Sequence, residues 1–438
     1  MALGGGVFLT QNKILPGSYI NFVSAARASS TLSERGIATI PLSLDWGADG
    51  AVFTVTAEDF KRNSLKIFGY PYEHDKMKNL RELFQNIRMG HFYKLNSEGV
   101  KASNAFATAK CSGIRGNALK IVIEASENDA EGNPRYDVST YMGTAKVDVQ
   151  TVSAMGDLKG NDYVSFIAEA QIALTAGTPL TGGTDGLISG ASYQNYFDKI
   201  EPFSFNTMGC PSAESTIKKM FESFTKRMRN NVGAKFQCVI FRPEKADFEG
   251  VIGVENSVAG SNDDPSMVYW VTGVQAGCAV NMSLTNTAYT GEYDVAIDYT
   301  QIELEAGLLS GKFMLHRVND EARVLEDINT FVSVADDKSG DFSSNQTIRV
   351  LDQIGNDIAS IFNTKYLGKL PNDAAGRISL WSDIVRHHQE LQSLRAIEDF
   401  EPDRVTVEQG DSKKAVVVED YVTPVNAMAQ LYMTVVVQ

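Results

Sequence analysis

Cysteine is scarce: the 438 residues hold four, Cys111, Cys210, Cys238 and Cys278, none of them in a C-x-x-C pair. That scatter argues against a disulfide framework or a zinc site and fits reduced, buried small hydrophobes. No apolar run approaches the roughly 18 residues that a membrane-spanning helix needs, and no basic stretch followed by an apolar one opens the chain. Neither membrane insertion nor a signal peptide is expected, so synthesis in the cytosol is predicted. Lys/Arg runs are also missing, and the formal net charge of -14 repels phosphate backbones, which disfavours nucleic acid as a direct ligand. With 43% hydrophobic residues the chain can bury several cores, and its length calls for roughly two to four domains.

Catalytic signatures are missing as well. There is no G-x-S-x-G elbow and no H-E-x-x-H motif. GLLSGKF (307–313) fails as a phosphate loop, because its glycines are one residue too close and Phe313 stands where a Ser or Thr would hold magnesium; it reads as a helix ending near Gly311. GGTDG (182–186) reads as a turn-forming linker. Glu303 and Glu305, two apart, face different sides of a helix and form no cooperating pair. Five histidines occur: His74, His91, His316, His387 and His388. Neighbours on a helix point about 100° apart, so His387 and His388 are expected on a solvated or partly packed face, not as metal ligands. His316, in FMLHRV, is expected to be a satisfied structural histidine. No metal and no cofactor are implied.

What is present is a sequence of distinct textures. VFLT and SYINFV around Pro16-Gly17 read as short strands. VFTVTAEDF reads as a strand, and Met77, Leu80, Leu83, Phe84 and Ile87 recur at helical spacing. From 93 to 186, ALKIVIE, AKVDVQTV and YVSFIA are separated by turn clusters, which predicts an all-β sandwich ending in the linker LTAGTPLTGGTDG. Beyond it, the strand PFSFN, a helix opening at Pro211-Ser212 with Ile217, Met220, Phe221, Phe224 and Met228 on one stripe, and the strand FQCVIF make a βαβ unit with a parallel sheet. A helix capped by Asp264 follows, then strands FMLHRV and ARVLEDI and a polar loop. Two amphipathic helices (346–363 and 378–397) and the strands VTVEQ, KAVVVEDYV and AMAQLYMTVVV complete the reading. The fold class predicted is a multidomain mixed α/β chain.

The last strand carries the sharpest physical argument. Ala427, Ala429, Leu431, Met433, Val435 and Val437 share one face, and no charge or proline interrupts them. Such a strand is an aggregation hazard unless its edges are paired. Fully extended, Val425 to Val437 reaches about 40 Å, and the first 24 residues reach up to roughly 80 Å. Pairing within the chain's own subunit and pairing with a neighbour are both open on these residues alone.

The segment FMLHRVNDEARVLEDINTFVSVADDKSGDFSSNQTIRVLDQIGNDIASIFNTKYLGKLPNDAAGR resembles the tail sheath proteins of contractile phages and R-type bacteriocins, especially those of Gram-positive bacteria. The features that carry it are Arg323 to Thr330, Asp341-Phe342-Ser343 with Asn345, and Ile348 to Asp352, together with LYMTVVV at one end and GGGVFLTQNKILPGSYINF at the other. The resemblance implies a discontinuous core interrupted by an outward-facing sandwich. Its parts are an N-terminal arm (1–24), the first part of the α/β core (25–92), the inserted domain (93–186), a subtilisin-like non-catalytic α/β domain (187–335), a C-terminal core domain (336–422) and an arm strand (423–438). It implies a homo-oligomer of stacked six-fold rings around a tail tube, with baseplate and tail terminator proteins as further partners, in a virion or tail-like particle. Val7, Phe8, Leu9, Tyr19, Ile20 and Phe22 would form the N-terminal intersubunit strand, and Ala429, Leu431, Tyr432, Met433, Val435 and Val437 the C-terminal one. A helix facing the tube, either 346–363 or 378–397, is expected, the latter with Arg377, Arg386 and Arg395 roughly on one side. Two other classes compete: an α/β hydrolytic enzyme with an accessory β domain, and a capsid or surface-layer subunit.

Overall fold

The computed structural model describes residues 32–437. Its first strand, Ile37–Leu42 (β1), is buried on both faces, as a strand covered above and below must be. The chain continues through Val52–Thr56 (β2), the helices Ala57–Phe68 (α1) and Lys78–Phe84 (α2), and Met89–Lys94 (β3), which runs parallel to β1 and antiparallel to β2. The Thr56 hydroxyl accepts from Asp59 N to start α1, and Gly69 at φ 78° stops it.

After Lys94 the chain leaves this sheet and builds strands Ala107–Ala109 (β4), Leu119–Ala125 (β5), Tyr136–Met142 (β6), Ala145–Val152 (β7), Val164–Phe166 (β8) and Thr175–Pro179 (β9). A four-stranded antiparallel sheet in the order β7-β6-β5-β9 and the pair β4-β8 enclose Ala107, Ala109, Ile121, Ile123, Val138 and Val164. Trp46, from the loop after β1, joins this cluster and donates its ring N–H to Lys66 O at 3.0 Å.

Gly190–Ile200 (α3), Thr207–Cys210 (β10), Ser215–Arg227 (α4), Gln237–Phe241 (β11), Val251–Val254 (β12), Met267–Gly277 (α5), Gln301–Leu309 (α6) and Lys312–Phe313 (β13) return the chain to the first sheet. Its seven strands lie in the order β13-β12-β11-β10-β1-β3-β2, parallel except for β2. Phe197, Phe221 and Phe224 of α3 and α4 cover one face. Phe60, Leu80 and Leu83 of α1 and α2 cover the other, together with Val268, Trp270 and Val271 of α5. The chain then forms the hairpin Leu315–Val318 (β14) and Glu321–Val324 (β15), the helices Asn345–Ile361 (α7) and Ala374–Ser393 (α8), and the strands Ile397–Glu398 (β16), Val405–Gln409 (β17), Val416–Asp420 (β18) and Thr423–Pro424 (β19).

Several sequence expectations need correction. The strand placed at 202–206 starts at Thr207, because Phe205 turns inward against Phe236 and the Asn206 side chain takes Ile37 N. The supposed linker 174–186 contains β9, whose Thr and Gly serve a register shift against β5. The run after Asp264 leaves the helix at Cys278, because Val280 packs into the core around α7 and α8. Asp264 accepts from Ser266 N, but α5 begins at Met267; similarly α4 begins at Ser215, after a turn in which Ser212 holds Glu214 N. ARVLEDI pairs only as far as Val324, since Asp327 turns into the interior. The strand read over VFTVTAEDF stops at Thr56, which caps α1, so Ala57 to Phe60 are helical; β1, α3, β3, β4, β6 and β12 are among the elements with no sequence assignment. Pro16-Gly17 and its flanking segments lie outside the described residues. The four cysteines are free, and Cys210, Cys238 and Cys278 are buried.

α5 approaches α2 closely enough to exclude side chains: a Cβ on Gly273 would stand 2.5 Å from Leu83 O, and one on Gly277 closer still to Asn86 O. Gly277→Ala is therefore expected to lower stability by about 1–3 kcal/mol through forced separation of the helices. Gly190→Ala, with nothing within 4 Å of its added carbon, should leave the thermal midpoint unchanged.

Candidate assembly surface

Helix α7 carries two stripes. Ile354, Ile358 and Ile361 make an apolar one against α8. Asn345, Arg349, Asp352, Gln353 and Asp357 make a polar one, and it too is buried, which corrects the expectation of an ordinary amphipathic helix. Arg349, 1% exposed, lies 2.5 Å from Asp327 in a fully buried ion pair. The Asp327 carboxylate accepts from Arg349 Nη2 and Leu284 N on one oxygen and from Gln275 Nε2 and Asn345 Nδ2 on the other. Burial opposes its ionisation, but the guanidinium charge and these donors outweigh burial and hold it below the usual carboxylate range. Arg349 also reaches Gln275 Oε1 at 2.6 Å and Met282 O at 2.9 Å. One turn later, Arg229 grips Asp352 with a two-pronged contact of 2.6 and 2.8 Å. Charges removed from water this thoroughly stay put only when each is paired, so α7 is locked to β11 through Gln237, to α5 through Gln275 and to the loop after β15 through Asp327.

The first turn of α7 also holds the root of the chain's C-terminal run. β19 pairs with β16, Val425 N donates to Ala396 O at 3.0 Å, and Ser344 Oγ donates to Asn426 Oδ1 at 2.9 Å. Asn426 Nδ2 donates to Thr347 Oγ1, and Ala427 N donates to Gln346 Oε1 at 2.9 Å. From Met428 onward the chain has no β-partner among the described residues, and its apolar side chains stand in water: Leu431 is 85% and Val437 90% exposed. Among the described residues the predicted strand AMAQLYMTVVV therefore forms no ladder. Ala429, Leu431, Tyr432, Met433, Val435 and Val437 all lie on this exposed run. Val7, Phe8, Leu9, Tyr19, Ile20 and Phe22 lie outside the described residues. Nearby, β17 and β18 pair only with each other among the described strands, and Val417 and Val418 are exposed. A two-stranded ribbon is marginal by itself and leaves edges to accept more strands.

The three arginines do not share a face. At 100° per residue Arg377 and Arg386 stand about 180° apart on α8, and Arg395 lies past the helix end at φ 60°. Arg377 donates to Asn372, while Arg386 is exposed and pairs with Asp383. His387 and His388 are not solvated: both are fully buried and hydrogen-bonded, because α8 is covered by α7 and the β17–β18 ribbon. At the C-terminal ends of β11 and β12, where a doubly covered parallel sheet tends to bind ligands, a cavity of about 820 Å³ includes Arg242, Glu255 and Lys312, and Glu255 pairs with both cations. No described helix is long and apolar enough to cross a membrane.

Comparison with known proteins follows this geometry along the chain. Residues 35–89 match the tail sheath protein Gp18 domain III N-terminal region, 97–185 the phage tail sheath protein beta-sandwich domain, 186–330 the central domain of phage tail sheath proteins, and 337–438 the phage tail sheath C-terminal domain. The phage-like element PBSX protein XkdK of Bacillus subtilis is 30% identical over 99% of both chains. A solved sheath tail protein from Desulfitobacterium hafniense is 36% identical, with a TM-score of 0.80 over 94% of this chain and 97% of that one. The fold extends to the helical sheath of the anti-feeding prophage in its contracted state, 11% identical with a TM-score of 0.57 over 96% and 98% of the chains.

Arg349→Met leaves Asp327 buried without its counter-charge and is expected to cost about 3–5 kcal/mol in urea unfolding. The pH dependence has a defined sign. Asp327 is held below its unfolded value of about 3.9, so its contribution is complete above roughly pH 4 and disappears as the pH falls further. The stability difference between the chain and its Asp327→Asn variant should be flat from neutrality down to that point and shrink below it.

Proposed function

This chain belongs to the phage tail sheath protein family and is a structural sheath subunit, not an enzyme, and from that premise we propose that its copies form a contractile tube knitted together by exchanged β-strands. The observation that carries the proposal is the exposed, uncharged run from Met428 to Val437, which leaves a fixed root and has no backbone partner among the described residues. Strand addition to another copy satisfies its donors and acceptors and covers its apolar side chains in one step. The β17–β18 ribbon is the acceptor we assign, with Val417 and Val418 as the side chains to be covered. An N-terminal arm (1–24) is taken to extend the same ladder.

In this reading six-fold rings stack around a tail tube, beginning at a baseplate and ending at a terminator protein. The inserted domain (93–186) faces outward. The sheath is laid down in a metastable extended packing, and contraction repacks rigid cores while the arms stay engaged, driving the tube through a bacterial envelope. A gain of about 1–3 kcal/mol per subunit, multiplied over many copies, supplies the work without nucleotide. The recurrence of the fold in a contracted sheath is consistent with this. Of the two helices considered for tube contact, α8 is the better choice: the first two turns of α7 are buried, whereas Ile378, Ser382, Arg386 and Gln389 of α8 are exposed.

Deleting residues 428–438 spares the anchors at Val425, Asn426 and Ala427 and should leave a folded monomer with an unchanged thermal midpoint that makes no sheath in electron micrographs of assembled tails. Sheaths of normal length from that truncation would defeat the proposal.

A further inference from the structure

The sheath role leaves one buried titratable cluster unused. His387 and His388 are both 0% exposed. His387 Nε2 lies 3.1 Å from Asp357 Oδ2, His388 Nε2 lies 2.7 Å from Asp420 Oδ2, and the two Nδ1 atoms lie 3.1 Å apart. An ionised carboxylate only accepts, so each Nε2 carries a hydrogen. The remaining contact joins the two Nδ1 atoms and needs one N–H and one lone pair. Two neutral rings would oppose two lone pairs; two imidazolium rings would oppose two N–H groups. One proton beyond the neutral count satisfies all three contacts. We infer that His387 and His388 share a single extra proton, and that this proton pins a pH-sensitive latch between the roots of the two chain ends.

The charged groups facing the rings are Asp357 from α7 and Asp420 from β18; the Phe400 ring packs on His388 at 5.0 Å. Asp420 Oδ1 is buried with no hydrogen-bond partner among the described residues, which leaves a carboxylate charge for His388 to answer. Burial opposes ionisation of Asp357, but hydrogen bonds from His387, Ser33 and Gln353 outweigh it and keep it ionised. Both Asp357 oxygens also accept from Ser33 N at 3.2 Å, and Gln353 Nε2 donates to Ser33 Oγ at 2.8 Å. Ser33 lies just ahead of β1, and Asp420 ends β18, just ahead of β19 and the C-terminal run. A second proton sets two N–H groups face to face, and loss of the first sets two lone pairs face to face. Either change parts the rings and loosens Asp357 from Ser33.

The test uses the full chain, labelled with ¹⁵N-histidine, across the range of about pH 5 to 8.5 in which imidazoles titrate. Near pH 7, three of the four ring nitrogens of the pair should read as protonated. Exchange of the Ser33 amide, corrected for its intrinsic rate, should be slowest near neutrality and about tenfold faster at either end of the range, a change of about 1.4 kcal/mol in opening. His388→Gln keeps a donor toward Asp420 but removes the Nδ1 contact, and should flatten that profile. Two or four protonated nitrogens at neutrality, or Ser33 exchange that follows the intrinsic rate throughout, would overturn the inference; the proton count decides even if the variant does not fold.

Discussion

The ion pair between Asp327 and Arg349 takes two charges out of water at the seam between the seven-stranded sheet and the C-terminal helices. Its four acceptor contacts bring together the loop after β15, α5, the 282–284 segment and the first turn of α7. Buried charge tolerates little rearrangement, because separating Asp327 from Arg349 leaves two unpaired ions and losing any other donor leaves a buried carboxylate oxygen short of a hydrogen bond. The seam therefore behaves as a rigid joint. Ser344, Gln346 and Thr347, the residues that hold Asn426 and Ala427, belong to that same first turn. Force that reaches the C-terminal run is delivered to the core through α7 and through β16.

A rigid root and a run without a partner among the described residues suit the strand exchange proposed above. Backbone ladders are indifferent to which copy supplies the strand, and their bonds run along the whole edge, so cores can rotate while each ladder keeps its register. The cost falls on the isolated subunit, which exposes Leu431, Tyr432, Met433 and three valines to water. Absence of charge and proline from this run, a liability in a monomer, is what a central strand in a shared sheet requires.

Much of this was legible in the sequence, and the failures have physical causes. Stripes such as Ile217, Phe221 and Phe224 announce a helix that packs on a sheet, and those residues do pack there. The runs that carried the resemblance include Asp327, Asn345, Arg349 and Asp352, residues of the buried seam, yet spacing alone gave no sign that they meet. A polar stripe at helical spacing reads as solvated unless its partners, here Gln275 and Arg229, are known to lie opposite. His387-His388 misled for the same reason: adjacency on a helix separates Cβ atoms, but the rings swing back until their Nδ1 atoms meet. The arginine trio failed on geometry, since nine residues is two and a half turns. β9 was hidden because a bulged strand can be built from the Thr and Gly that usually mark a linker.

Strand exchange requires the run from Met428 to Val437 to be unpaired in one copy and to become a strand in another. Amide hydrogen exchange, measured on the isolated chain and on assembled sheath, addresses it directly. The amides of Leu431 to Val437 should exchange freely in the isolated chain and become as protected as core strands in the sheath, with the β17–β18 edge gaining protection alongside. Equal protection of this run in both samples would contradict the account.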